Sequence, residues 1–137
     1  MKCGIFYIKK RKLWVIKAFD RSKNQMVAWV TGSRSAKTFR KLYEKVKHLK
    51  NCIFYTDSWD AFSKVLPSSQ HIIGKQHTVA IERDNSNVRN DLARFTRRTK
   101  VVSKSEKMIN NTLKLWQAFH TSNLFSSLQQ LFLSLLK

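Results

Sequence analysis

The chain has 137 residues, with 27 Lys or Arg against 8 Asp or Glu, and a formal net charge of +19. A hydrophobic share of 42% supplies one core and argues against general disorder, while three Gly and one Pro exclude collagen-like and Gly/Pro-rich classes. No apolar run approaches the roughly 20 residues of a membrane span, and no cleavable leader follows the basic start.

From Ile5 to Phe19 the chain reads as two extended pieces. Leu13 to Phe19 is nearly all apolar, β-branched or aromatic, as in a buried strand. The polar stretch from Asp20 to Gln25 reads as a hairpin connection, and Met26 to Val30 as its partner strand. Thr31 to Ser35 is a loop in which Ser35 is placed to cap a helix. From Ala36 to Leu49 apolar residues recur at helical spacing beneath a Lys/Arg-covered outer face.

Cys52 to Tyr55 predicts a short buried strand, closed by Thr56, Asp57 and Ser58. A short helix is expected over Ser58–Val65, stopped before Pro67, then a strand at His71–Ile73. A long helix is predicted from Thr78 to Arg98, with Ile81, Val88, Leu92 and Phe95 on one stripe. Glu82 and Arg89 lie beside that stripe. Lys100 to Lys104 is a basic connection, and two amphipathic helices follow, Ser105–Phe119 and Leu124–Leu136.

The order predicts a mixed α/β layer fold. Three early strands form an antiparallel meander, and a helix returns the chain to a strand parallel to the first. Residues 1–104 are expected to form this domain, and residues 105–137 a helical extension that packs on it or on a partner.

The charge demands a polyanion. DNA, RNA and anionic membrane all satisfy it, and duplex DNA binds basic proteins by releasing counterions. Cys3 and Cys52 form no CxxC pair and have no zinc-ligand spacing, so a reduced chain with a buried or neutral Cys52 thiol is expected.

With only eight acids, each can be weighed. Asp57 would lie at the C-terminal edge of a buried strand, where α/β sheets place ligands, although a turn or cap role fits the position as well. Glu82, separated from it by the 24 residues 58–81, would lean over the sheet, although a first-turn Glu also favours the helix dipole. Together they suggest a carboxylate site for a hard cation such as Mg²⁺. Two such ions promote phosphodiester cleavage, a task for which two carboxylates are few. Arg83, Arg89, Arg94, Arg97, Arg98, Lys100 and Lys104 surround Glu82, and a subset would follow a phosphate backbone. The scattered His residues and the lack of Gly-rich or Ser-nucleophile motifs leave other chemistries without support.

The ordered segments Phe54–Trp59, His71–Lys75, Ile81–Arg89, Leu92–Arg94 and Ser103–Ser105 resemble the insertion-sequence-one transposase family. Leu13–Asp20 and Ala36–Phe39 are also similar. The resemblance implies an RNase H-like domain with an Asp-Asp-Glu triad. Such a domain cleaves double-stranded DNA at element ends and transfers the strand to target DNA, with Mg²⁺ or Mn²⁺. It implies that Asp57 and Glu82 are catalytic and metal-binding. The Asn and Arg of the family's helix motif map onto Asn85 and Arg89, which join Arg94, Arg97, Arg98, Lys100 and Lys104 as expected DNA contacts. A homo-oligomer on bacterial DNA in the cytoplasm, without a membrane partner, is the expected setting.

Two departures stand out. The family's first triad Asp lies in the first strand, but Lys2, Cys3, Gly4 and Ile5 occupy that stretch here. Asp20 resembles an Asp at the end of the family's second strand instead. The family's zinc-binding and helix-turn-helix front end also has no counterpart, so an N-terminally truncated enzyme with impaired cleavage is expected. The alternative is a non-catalytic DNA-binding remnant or an inhibitor of an intact transposase.

Overall fold

The structure is a computed structural model that describes residues 3–8, 11–49, 52–92, 95, 103, 105–120 and 122–135. The chain divides into two compact units, Met1–Lys104 and Ser105–Lys137.

The first unit opens with three strands, β1 (Cys3–Ile8), β2 (Arg11–Asp20) and β3 (Gln25–Gly32), in an antiparallel sheet of order β1-β2-β3. The run Val15, Ile16, Lys17, Ala18 is buried throughout, so β2 is covered on both faces. By the two-residue alternation of a strand, Ile16 and Ala18 share one face and Val15 and Lys17 the other. The β2–β3 register slips at Ala18/Phe19. The connecting turn places Asn24 at φ +50°, a backbone region that Asn tolerates better than most residues.

Gly32 ends β3 at φ +156°, and a Cβ there would stand 3.0 Å from the Thr38 side chain. That close approach seats α1 (Ala36–Val46) on the sheet. Ser35 caps α1 as expected, its Oγ accepting from the Thr38 amide at 3.3 Å. The buried face of α1 carries Phe39, Leu42 and Val46, which join Ile16, Ala18 and Val30 in the main core. Phe54, Phe62, Leu66 and Ile81 extend that core toward the second half of the unit.

The fifty-odd position region differs from its expectation. The strand β4 (Phe54–Thr56) begins two residues late, leaving Cys52 and Ile53 exposed, so of the buried or neutral Cys52 thiol expected, burial does not hold. A short α2 (Asp60–Ser63) follows, then β5 (His71–Ile73). β4 pairs with β5 in parallel, from Phe54↔His71 to Thr56↔Ile73. Among the described residues β4 does not join the three-stranded sheet; the strands form two small sheets rather than one mixed one.

Helix α3 (Val79–Asp91) is shorter than predicted. Asn90 and Asp91 are weak helix formers, and Leu92 takes extended backbone at φ −115°, ψ 100°. The Phe95 amide donates to the Leu92 carbonyl at 2.8 Å, and the Phe95 side chain is buried.

The second unit holds α4 (Glu106–His120) and α5 (Ser122–Leu135), close to their predicted limits. Ile109, Leu113 and Trp116 form the buried face of α4. On α5 every described side chain from Ser126 to Leu135 is exposed. No described helix is long and apolar enough to cross a membrane.

Candidate carboxylate and nucleic-acid site

Parallel pairing brings the exits of β4 and β5 side by side. The Gly74 amide donates to the Thr56 carbonyl at 3.0 Å, continuing the ladder past the last paired residues. Asp57 leaves this edge directly. On the neighbouring strand only Gly74 to Thr78 intervene before α3, and Glu82 lies in its first turn. Both predicted acids therefore issue from the C-terminal edge of the parallel pair, where strand ends leave loops free to carry side chains.

Asp57 is half-buried, and its Oδ1 accepts the Trp59 amide at 3.2 Å. This is the turn-capping geometry that the sequence also allowed. The strand beneath is anchored by Thr56, which is fully buried. Its hydroxyl donates to the Asp57 carbonyl at 2.9 Å and lies 2.6 Å from Nε2 of His71. Burial lowers the His71 pKa from its ordinary 6.5, favouring the neutral ring. Glu82 is half-buried, with its Oε1 3.5 Å from the Thr78 hydroxyl one turn earlier.

Asp20 sits apart from these two acids in its bonding. Its Oδ1 accepts from the Ser22 hydroxyl at 2.6 Å and from the amides of Ser22 at 2.9 Å and Lys23 at 3.3 Å. Those bonds hold its pKa below the ordinary value. It is a turn cap that also borders a cleft of about 330 Å³ shared with Arg21, Tyr55, His77 and Ile81. Neither Asp57 nor Glu82 lines that cleft.

Asn85 and Arg89 fall differently than expected of surface contacts. Asn85 is 7% exposed, and its buried Nδ2 has no hydrogen-bond partner. The Asn85 side chain is thus enclosed within the unit rather than open on its surface. Arg89 is half-buried in the last turn of α3. Arg94, Arg97, Arg98, Lys100 and Lys104 lie outside the described residues. Among the described residues no group of three or more His, Cys, Asp or Glu is placed to hold a metal ion.

Two features escaped the sequence reading. Lys17, 3% exposed in the middle of β2, forms a buried ion pair with Asp84 of α3. Burial lowers the Lys17 pKa from 10.5; Asp84 opposes that shift and the Arg89 charge adds to it. The signal was present: a lone charge in a buried apolar strand requires a partner. The second is Arg34, whose guanidinium stands over two tryptophan rings brought together only by the fold.

A family model described as IS1 transposase matches residues 2–121. The insertion element IS1 protein InsB of Shigella flexneri is 33% identical over 116 residues, covering 82% of this chain and 88% of that protein. The insertion element IS1 2 protein InsB of Escherichia coli strain K12 is 34% identical over 116 residues, covering 82% and 70%. No solved structure matches the chain.

Proposed function

The chain belongs to the IS1 transposase family, and from that premise we propose that it is an RNase H-like catalytic domain of the Asp-Asp-Glu type. Its task is cleavage of double-stranded DNA at insertion-element ends and joining of the freed 3′-hydroxyl to a target phosphodiester. The joining forms one phosphorus–oxygen bond and breaks another, with the target's 3′-oxygen leaving. The observation that carries this reading is the common origin of Asp57 and Glu82 at the exit of the parallel strand pair.

Asp57 and Glu82 offer hard oxygen donors of the kind Mg²⁺ or Mn²⁺ takes, and Mg²⁺ is commonly held by one or two carboxylates plus phosphate and water. Such an ion, when bound, polarises the phosphodiester and activates the attacking oxygen. Asp57 is oriented for this by the Trp59 amide, and Glu82 is carried on a helix rather than a loop. Arg89 and the basic run of Arg94, Arg97, Arg98, Lys100 and Lys104 hold the DNA backbone. The working form is a homo-oligomer on chromosomal DNA in the cytoplasm.

Residues 2–5 bring no carboxylate to the first strand, so cleavage is impaired. That same lack favours the second reading, DNA binding without chemistry. Purified full chain incubated with element-end DNA and Mg²⁺ separates them. Slow nicking that disappears in both Asp57→Ala and Glu82→Gln supports the catalytic reading. Nicking that survives both substitutions would falsify it, and tight binding with no nicking favours the second.

A further inference from the structure

We propose that Arg34 is a DNA-phosphate contact at the Asp57 end of the site, an inference that rests on the transposase reading above. Arg34 lies in the loop between β3 and α1. Its guanidinium carbon stands 5.0 Å from the ring centre of Trp14 on β2 and 5.3 Å from that of Trp59. Trp59 is the residue whose amide holds Asp57. Its indole is itself fixed edge-on by Phe39 at 6.5 Å and Phe62 at 4.9 Å. The cation therefore rests on a braced aromatic support beside the strand exit that carries the acid.

The arrangement differs from an ordinary surface charge in three ways. Arg34 is exposed, and the described ion pairs, Lys17–Asp84 and Lys47–Glu44, do not include it. A cation–π contact engages the guanidinium charge without consuming its N–H donors, which remain able to form an oxyanion fork. The pose is also ordered in advance, so less side-chain freedom is lost when a phosphate arrives. The next residue, Ser35, caps α1, an eleven-residue helix with no acid in its first turn. The positive end of that helix dipole adds to the same local field.

A purely structural role is the competing account: the side chain is then a wedge that staples the loop to two indoles. Replacement by Met keeps an apolar stem in that place and removes the charge. A lysine keeps the charge but lacks the planar, forked head.

The test is duplex-DNA affinity of the full chain across a salt series, with folding checked by thermal melting. Arg34→Ala and Arg34→Met are expected to bind roughly tenfold more weakly than the parent. Each should reduce the log–log salt slope by about one, the signature of one lost phosphate contact. Arg34→Lys should fall between parent and Arg34→Met. Affinity within twofold of the parent for Arg34→Met overturns the proposal, whereas full restoration by lysine upholds the phosphate contact and assigns it to charge rather than to the forked head. A parent chain that binds no duplex defeats the transposase reading and this inference together. Parent binding with an indifferent Arg34→Met defeats only the inference.

Discussion

The β2–β3–α1 half of the first unit and its β4–β5–α3 half are held together differently. In the former, most polar side-chain bonds are local, Asp20 to Ser22 and Lys23 and Ser35 to Thr38, and the longer bond from Lys45 to the Trp29 carbonyl is exposed. The side chains that α1 buries are mostly apolar, Phe39, Leu42 and Val46 beside Thr38. In the latter, polar groups are buried and find their partners far along the chain. Thr56 meets His71, and Asp84 meets Lys17 from the opposite half. Helix α3 buries only Ile81 and Val88 as apolar residues, with Asp84 and Asn85 beside them. A scaffold can be specified by pattern and caps. The half that carries Asp57 and Glu82 is fixed by contacts that exist only once the whole unit has closed.

The most severe way to break this contrast is to remove one member of the long-range charge pair. Asp84→Leu leaves the Lys17 ammonium buried without a counter-charge, and a loss of about 3–5 kcal/mol is expected by urea unfolding. Replacing both partners, Lys17→Met with Asp84→Leu, should recover most of that loss, because paired apolar groups remove the desolvation penalty together. A single Asp84→Leu variant as stable as the parent would show that the pair does not organise α3.

The same contrast explains what could be read in advance. The β2–β3 hairpin, the Ser35 cap, α1, β5 and the last two helices follow from periodicity and turn chemistry, which act within a few residues. Asp57 and Glu82 are candidates from their spacing and from the family resemblance. The pairing of β4 with β5 was not legible, because three-residue strands carry too little alternation to choose a neighbour. The end of α3 is not legible because Leu92 and Phe95 continue the helical stripe in the sequence, whereas Leu92 takes extended backbone. Nothing in its own position singles out Asp84, although the charge of Lys17 in an apolar strand calls for a buried acid. Arg34 carried no local signal at all, since Trp14 and Trp59 lie on separate elements.

A milder change probes the other long-range bond. Thr56→Val keeps the shape but removes the hydroxyl between the Asp57 carbonyl and His71, and should cost about 1–2 kcal/mol. The parent should also weaken on mild acidification. The folded pKa of His71 lies below 6.5, so the unfolded chain takes up a proton that the folded chain resists. The His71 contribution is complete above pH 6.5 and declines as the pH falls from there toward the folded value. Unfolding midpoints at about pH 7.5 and about pH 5.5 measure it, and the difference should shrink in His71→Asn. An unchanged difference would remove His71 from the account.

The smallest expected effect belongs to the local half, and it has a different pH window. Asp20 is held below its ordinary pKa of 3.8 chiefly by the Ser22 hydroxyl, with the Ser22 and Lys23 amides assisting. Its ionised form is therefore favoured in the fold. The stability it adds is present above pH 3.8 and is lost as the pH falls through 3.8 to the folded value. Because the turn is exposed and screened by solvent, the contribution should be about 0.5 kcal/mol or less. Asp20→Asn keeps an acceptor for the turn donors but removes the charge, so it should flatten this acid limb while leaving the midpoint near neutral pH almost unchanged. The two acid limbs are separable, since His71 acts from pH 6.5 downward and Asp20 only below 3.8. If Asp20→Asn instead lowered stability near neutral pH as much as Thr56→Val, Asp20 would be doing more than capping its own turn. The division between a locally bonded half and a distantly bonded one would then fail at the hairpin.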